Sequence, residues 1–229
     1  NRLNLKTFAL DNVGGEIAGT NGVTLSFEAS DALDNREGAI FSGRDLRLDA
    51  EGAVDNAGVL QSQDSFKLEA DQFANYGQLL AGSLSLVSND LSNHGGGLIE
   101  AQSLRVDATD LQNAGAIISS GESGQNFQLR VGSFFNSGLL EVYSHNLQLS
   151  DIAYVADSGS IIHHGEGQLF VATGEVFDNR TGVLYTAGNL DINALVIDNR
   201  GGEISAGKTL GLTVDEFNNE EGLLQSGRY

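Results

Sequence analysis

The sequence contains no cysteine, proline, methionine or tryptophan. Without cysteine, a disulfide framework and every thiolate metal site are excluded. Lysine and arginine number only 12 against 31 acidic residues, which gives a formal charge of −19. Because phosphate binding needs clustered cations, we expect no nucleic-acid partner. No apolar run approaches the ~20 residues of a membrane span, and no signal peptide opens the chain, so membrane insertion is not expected.

The acidic composition raises the question of calcium, which carboxylate-rich loops bind. No dense aspartate loop is present in the sequence. A second explanation of the charge is the solubility of a long exposed surface. We therefore expect no metal and no cofactor.

What the chain does contain is a repeat. Its motif is an apolar residue, any residue, Asn, a short variable stretch and Gly, followed by a further apolar residue, as in residues 197–204 (IDNRGGEI). The anchors of successive copies lie 18 to 23 residues apart, a period typical of solenoids. The eleven anchors are Asn12, Asn35, Asn56, Asn75, Asn93, Asn113, Asn136, Asp157, Asn179, Asn199 and Asn219.

Within each unit the apolar pattern has a period of two, as in residues 46–48 (LRL), 66–68 (FKL) and 104–106 (LRV). This alternation predicts half-buried strands rather than helices. One unit cannot bury its apolar side alone, but stacked units share a core. The sequence therefore predicts an all-β fold, a parallel β-helix of about eleven coils with ~21 residues each, in a single domain over residues 1–229.

The anchor asparagines have a structural interpretation. Asparagine tolerates sharp corners, and its amide can bond to neighbouring backbone groups. Stacked on each other, these side chains are expected to form a hydrogen-bonded ladder. The glycine that follows each anchor is expected to have a positive φ angle.

The repeat resembles a known family. Asp-Asn-x-Gly-Gly-x-Ile followed by Ala-Gly-x-x-Leu, as in Asp198 to Leu210, is similar to the haemagglutinin repeats of filamentous haemagglutinin-type exoproteins. These include two-partner-secreted adhesins and the effectors of contact-dependent growth inhibition. The resemblance covers essentially the whole chain. It implies a right-handed β-helix, exported through an outer-membrane two-partner-secretion transporter and displayed as a filament on a Gram-negative cell.

The same resemblance implies that the chain is a fragment of a longer exoprotein. It would be a piece of filament shaft or a portion that binds a receptor on a target cell, either protein or glycan. A secretion domain and a toxin domain are not recognisable in the sequence.

The repeat is most irregular over residues 119–185, where residues 119–126 resemble an enlarged loop. Aligning the strand after each glycine on residues 204–206 requires one extra residue, which we place just before Ile118 and Ile162. The alignment gives an inward column of small residues that also contains Val142 and His164. It gives an outward column in which Glu141, His163 and Tyr185 follow one another.

Tyrosine and histidine are concentrated in this region. Both side chains offer an apolar body and a polar tip, which suits a binding surface. Two interpretations stay open: a receptor-binding patch, or side chains that merely decorate a solvated rod. The candidate patch comprises Glu141, Tyr143, His145, Tyr154, His163 and Tyr185.

Catalysis is a different functional class to consider, because parallel β-helices also carry polysaccharide lyases and hydrolases. Glycoside hydrolases need paired carboxylates at a fixed separation, and no such pair stands out here. The pair His163-His164 could join Glu141 or Asp157 around a metal. However, adjacent strand residues point to opposite faces, which places this pair poorly. We expect no enzyme; the alternative is a carbohydrate-binding or carbohydrate-cleaving β-helix.

Overall fold

The computed structural model describes residues 1–28, 31–122 and 127–227, and within these ranges the chain forms 23 strands and no helix. Every strand pairing in the sheet is parallel, as between Leu48, Leu68 and Leu86 on successive coils. The strands are β1 (Arg2–Thr7), β2 (Leu10–Asp11), β3 (Glu16–Gly19), β4 (Gly22–Phe27), β5 (Asp31–Asp34), β6 (Ala39–Ser42), β7 (Asp45–Ala50), β8 (Ala53–Asn56), β9 (Val59–Ser62), β10 (Ser65–Asn75), β11 (Gln78–Asn93), β12 (Leu98–Asn113), β13 (Ala116–Ser119), β14 (Phe127–Asn136), β15 (Leu139–Val142), β16 (Leu147–Asp157), β17 (Ser160–His163), β18 (Gln168–Asp178), β19 (Val183–Thr186), β20 (Asn189–Asp198), β21 (Glu203–Ala206), β22 (Leu210–Asn218) and β23 (Leu223–Ser226).

Each coil has three faces, which β11 passes through in one continuous strand. Face A follows the corner glycine (residues 78–81 in this coil), face B is the middle segment (83–88), and face C leads to the anchor (90–93). Equivalent segments of successive coils pair in register. The chain is thus a parallel β-helix of about eleven turns, as its sequence predicts.

The core is a set of apolar columns that run the length of the solenoid. Face B contributes two buried residues per coil, such as Leu46 and Leu48, and face A contributes one, such as Leu60. Face C contributes the residue two positions before the anchor, which is buried in every coil from Leu33 to Ile197. Each fully buried Leu, Ile or Phe side chain stabilises the fold by roughly 1.5–3 kcal/mol.

The asparagine ladder is present. The Nδ2 of each anchor donates to the Oδ1 of the next at 2.6–2.9 Å, in nine of the ten steps. The same Nδ2 usually donates to a backbone carbonyl oxygen of the next coil as well, as from Asn113 to Leu139 at 3.0 Å. Since every anchor from Asn12 to Asn199 is buried, these bonds satisfy polar groups that water cannot reach.

The expectation of positive φ at the glycine after each anchor is wrong for most coils. At Gly138 the φ angle is not positive, and a Cβ would lie 2.1 Å from the carbonyl oxygen of Gly115 on the preceding coil. Glycine is therefore needed there because the backbones approach closely. In the longer corners a positive φ falls on the residue before that glycine, such as Thr181 (φ 61°) or Gly201 (φ 63°).

The structure also corrects the register proposed for two coils. No residue is inserted before Ile118 or Ile162, because these residues pair directly with Glu100, Glu141 and Tyr185 on face A. His163 therefore lies in the inward column with Val142, and His164 lies outside. The extra residues are instead in the corners between faces A and B, where an insertion leaves the strand orientation unchanged.

Other irregularities lie nearby. The pairing of β16 with β18 shifts register on either side of Ile152, where Asp151 has a φ of 62°. Of the enlarged loop expected over residues 119–126, residues 123–126 lie outside the described part of the chain. No helix among the described residues is long and apolar enough to span a membrane.

Candidate functional site

Three side chains form a compact cluster where face A ends, here named the Glu141 cluster: Glu141, Tyr143 and His164. The Tyr143 hydroxyl donates to Glu141 Oε1 at 3.0 Å, and His164 Nε2 lies 2.7 Å from the same oxygen. The two rings are stacked, with centroids 4.3 Å apart and planes inclined by 19°. Glu141 raises the pKa of the Tyr143 hydroxyl, mainly through this hydrogen bond. The cluster presents an ordered aromatic and acidic surface.

Neighbouring outward residues extend this surface along face A. Glu141 pairs with Ile162 on the next coil, and Ile162 pairs with Tyr185 on the coil after it. The Tyr185 side chain is 36% exposed. His145 is exposed in the corner that follows Tyr143. The structure thus places four of the six predicted patch residues on face A or in the corner after it, within three successive coils: Glu141, Tyr143, His145 and Tyr185. Of these four, Glu141 and Tyr143 are in direct contact.

His163 does not belong to this surface. Its side chain is 0% exposed, and its Nε2 lies 2.8 Å from the carbonyl oxygen of Ser144. A carbonyl can only accept, so Nε2 carries the proton and Nδ1 accepts from the Thr186 hydroxyl at 2.8 Å. Burial lowers the pKa of His163, which keeps the ring neutral. His163 is a satisfied core residue.

Tyr154 lies on face C, away from the Glu141 cluster. Its ring contacts Phe135 with centroids 5.5 Å apart, and its hydroxyl lies 3.4 Å from Asp178 Oδ2. These residues line a surface recess along the anchor corner, here named the corner groove. The Phe135 side chain is 42% exposed in it.

The corner groove spans several coils. One part is lined by His94, Ala114 and Ser137, and the other by Tyr154 and Arg180, and both parts share Phe135, Ala156 and Ser158. The three coils in its middle have the short corner Asn/Asp-x-Gly, which presents only small side chains such as Ser158. Longer corners, with His94 and Arg180, stand at its two ends.

The cations at one end of this groove are already paired. Arg180 Nη2 lies 2.7 Å from Asp178 Oδ2, and Arg200 Nη2 lies 2.7 Å from Asp198 Oδ2. The hydrogen bonds from Arg200 hold the pKa of Asp198 below its ordinary value. The groove therefore offers aromatic rings, hydroxyls and neutralised ion pairs rather than a net charge. Across the described residues, no group of three or more His, Asp or Glu is placed to hold a metal ion.

The haemagglutinin-repeat family model matches residues 2–37, 17–89, 79–126 and 157–227. The chain belongs to the haemagglutinin-repeat family. These matches leave out residues 127–156, which contain most of the predicted patch. Haemagglutinin repeats thus account for the coils on both sides of that segment.

Several curated proteins are similar to this haemagglutinin-repeat chain. The tRNA nuclease CdiA of Escherichia coli O6:K15:H31 (strain 536 / UPEC) is 25% identical over 209 residues, which cover 86% of this chain and 6% of the relative. Toxin CdiA of Escherichia coli is 31% identical over 97 residues, 42% of this chain and 3% of the relative. The deoxyribonuclease CdiA of Dickeya dadantii (strain 3937) is 30% identical over 146 residues, 56% of this chain and 4% of the relative.

The haemagglutinin-repeat chain therefore spans only a few per cent of the length of these relatives. No solved structure matches it significantly.

Sequence reasoning missed two contributors to these surfaces. The sequence alignment places His164 in the inward column, whereas in the structure it completes the Glu141 cluster. Phe135 was not singled out, although it immediately precedes an anchor, a position whose side chain points away from the core because its neighbour Phe134 points inward. That alternation was available in the sequence.

Proposed function

We propose that this chain is a shaft segment of a secreted, cell-surface filament of a Gram-negative bacterium, of the contact-dependent growth inhibition type. The observation that carries this proposal is the regular solenoid together with similarity to a CdiA protein over 86% of the chain. Such coils extend a molecule by ~4.8 Å each. Export of the parent protein would use an outer-membrane two-partner-secretion transporter. In this proposal the segment itself catalyses no reaction.

We further propose that the Glu141 cluster and Tyr185 form a contact surface for a receptor on the target cell. Three observations support the site. Glu141 and Tyr143 lie in residues 127–156, which the family model does not match. The rings of Tyr143 and His164 are ordered by stacking, and hydrogen bonds fix the Glu141 carboxylate between them. Rigid aromatic groups with polar tips lose little conformational entropy on binding, which favours them at interfaces.

The test replaces Glu141, Tyr143 and His164 together with serine in the full filament protein. These side chains are outside the core, so the melting temperature should stay within a few degrees of the parent value while binding to target cells falls at least tenfold. A tenfold loss corresponds to about 1.4 kcal/mol, which is modest for an aromatic hot spot. Unchanged cell binding would refute the receptor surface.

A matched control uses another exposed cluster on the same solenoid. Arg47, Lys67 and Glu69 form ion pairs on face B of earlier coils. Replacing these three with serine removes a comparable amount of surface and should leave cell binding unchanged. Equal losses in both triple variants would instead indicate a general effect of altering the filament surface, because the two variants change the net charge in opposite directions.

A second candidate function is carbohydrate binding in the corner groove. The observation that favours it is the exposed ring of Phe135 beside Tyr154 and the Asp178–Arg180 pair. Sugar rings stack on aromatic faces, and their hydroxyls donate hydrogen bonds to carboxylates and accept them from guanidinium groups and hydroxyls. A neutralised ion pair offers both kinds of group without net charge. A polysaccharide array probed with the purified chain should show saturable binding that Phe135→Ala removes. Silence across the array would exclude this function.

A further inference from the structure

The asparagine ladder has one incomplete step. From Asn12 to Asp157 every step carries a side-chain hydrogen bond, the last one from Asn136 Nδ2 to Asp157 Oδ1 at 2.8 Å. The bonds resume with Asn179 Nδ2 to Asn199 Oδ1 at 2.7 Å. Between Asp157 and Asn179 the ladder has no such bond, although the coils pair in register through Ala156 and Asp178. The defect is therefore chemical and lies at one position.

Two buried oxygen atoms lack hydrogen-bond partners at this step. They are Asp157 Oδ2 and Asn179 Oδ1, on side chains that are 1% and 0% exposed at the residue level. Asp157 Oδ1 already accepts from Asn136 Nδ2 and from the Gly159 amide at 3.0 Å. At the other steps the Nδ2–H group of one anchor donates to the Oδ1 of the next. In Asp157 the atom that corresponds to this Nδ2 is Oδ2, so an ionised Asp157 has no donor to offer Asn179 Oδ1.

The length of the corner does not explain the missing bond. The step from Asp157 to Asn179 passes from a short corner to a longer one, and so does the step from Asn75 to Asn93. There the bond from Asn75 Nδ2 to Asn93 Oδ1 is intact at 2.8 Å. A longer corner after a short one therefore does not by itself break the ladder. The two corners also differ in a backbone bond, since the His94 amide donates to the Asn75 carbonyl oxygen and the Arg180 amide to Asp178 Oδ1. At the ladder position itself, the difference is a carboxyl group in place of the amide.

We propose that Asp157 is a proton-binding site: its Oδ2 carries a proton and donates it to Asn179 Oδ1, which completes the ladder. A protonated carboxyl has one acceptor oxygen and one O–H donor, the same pattern as the amide it replaces. The ionised form would instead place two acceptors against each other in a buried corner, where the loss is not compensated by water.

The surroundings favour the protonated form. The charged groups that line the neighbouring surface are Asp178, Arg180 and Arg200, with the Tyr154 hydroxyl beside them. Both arginines are paired with aspartates, and the residues flanking the ladder on the preceding coil, Phe135 and Ser137, carry no charge. Burial raises the pKa of Asp157 to about 7, against the lowering effect of its bonds from Asn136 and Gly159.

The direct test is a pH titration of the Asp157 side-chain carboxyl by carbon-13 NMR, in this chain labelled at aspartate. The Asp157→Asn variant assigns the resonance, and Asp55, exposed on the same face, serves as the control carboxyl. The Asp157 signal should be that of a protonated acid at pH 5 and should titrate at least two pH units above the ordinary aspartate value of ~3.9. An Asp157 carboxyl that is already ionised at pH 5 would overturn the proposal.

A second readout reports on the ladder step itself. The Val183 amide donates to the Gly159 carbonyl oxygen at 2.9 Å across this corner. Its hydrogen exchange, corrected for intrinsic pH dependence, should accelerate about tenfold or more on ionisation of Asp157 and should not change with pH in Asp157→Asn. Identical exchange in both proteins at pH 8 would refute the coupling. Protection at pH 8 that depends on added sodium or calcium would refute it too, because a cation would then bridge the two oxygens.

Discussion

Replacing Asp157 with asparagine should stabilise the chain, and the gain should increase with pH. Burial raises the pKa of Asp157 to about 7 in the fold, against an ordinary aspartate value of 3.8. For an acid whose pKa is raised by folding, the folded state binds the proton more tightly. The contribution of Asp157 to the free energy of unfolding is therefore highest below about pH 4, falls as pH rises, and becomes level above about pH 7.

The magnitude follows from the shift. At 1.36 kcal/mol per pKa unit, the full cost of ionising Asp157 approaches about 4 kcal/mol, of which roughly 2–3 kcal/mol develops between pH 5 and pH 8. Asparagine in place of Asp157 removes that cost and supplies the missing donor. The short corner can hold an asparagine at this position, as the corner at Asn56 does. There the Gly58 amide donates to Asn56 Oδ1 at 3.3 Å, just as the Gly159 amide donates to Asp157 Oδ1.

The assay is urea denaturation of the parent chain and Asp157→Asn at several pH values from 4 to 8. The difference between the two free energies of unfolding should be near zero at pH 4 and should favour the variant by several kcal/mol at pH 8. Taking the difference cancels the other carboxylates, including Asp198, whose pKa is lowered by Arg200 and which stabilises the fold as pH rises. Asp55→Asn should show no such trend. A difference that stays constant from pH 5 to pH 8 would refute the reasoning.

Two core substitutions test the interior. Ala206→Phe should lower the free energy of unfolding by ~1–3 kcal/mol through overpacking, because Ala206 is 2% exposed in the inward column of small residues. An unchanged melting temperature would contradict the inward orientation of Ala206. His163→Leu should cost ~1–3 kcal/mol because the Ser144 carbonyl oxygen loses its buried donor. In the parent chain the lowered His163 pKa should reduce stability as pH falls below about 6.5, a trend that His163→Leu should abolish in the same denaturation series.

Much of the architecture could be predicted because each repeat specifies itself. The apolar residue before each anchor, the asparagine and the glycine recur together, so a unit whose pattern is ambiguous can be aligned by comparison with its neighbours. The ladder followed from the chemistry of a stacked amide, which donates in one direction and accepts from the other. These inferences needed only the spacing of residues along one chain.

The register of two coils could not be fixed in the same way. Ile117-Ile118 and Ile161-Ile162 are pairs of equally apolar residues, so either member can be assigned to the core. The spacing from the corner glycine distinguishes the two members of each pair. The buried residue of face A lies two positions after that glycine, as Ile161 lies two positions after Gly159. Applied consistently, that rule places His163 inward.

The candidate sites are harder to predict because they depend on contacts between coils. Glu141 and His164 are 23 residues apart, and their bond requires the correct register of both coils. The step at Asp157 is similar: the sequence marks the exception to the anchor pattern, but only the structure shows that one oxygen of Asp157 and one of Asn179 are buried without a hydrogen-bond partner. Sequence alone identifies where the repeat changes, and the geometry identifies what the change does.

The departures from regularity share one stretch of the solenoid for a physical reason. Each coil of a repeat protein contacts only its neighbours, so a substitution costs stability at two interfaces and leaves the remaining coils unaffected. The bulge at Asp151, the buried His163 and the acid at Asp157 all lie within consecutive coils whose flanks are regular. Regular coils on both sides hold that stretch in register, as the intact bonds at Asn113 and Asn199 show. A solenoid can therefore carry a specialised surface, such as the Glu141 cluster, at a local cost that its other coils do not share.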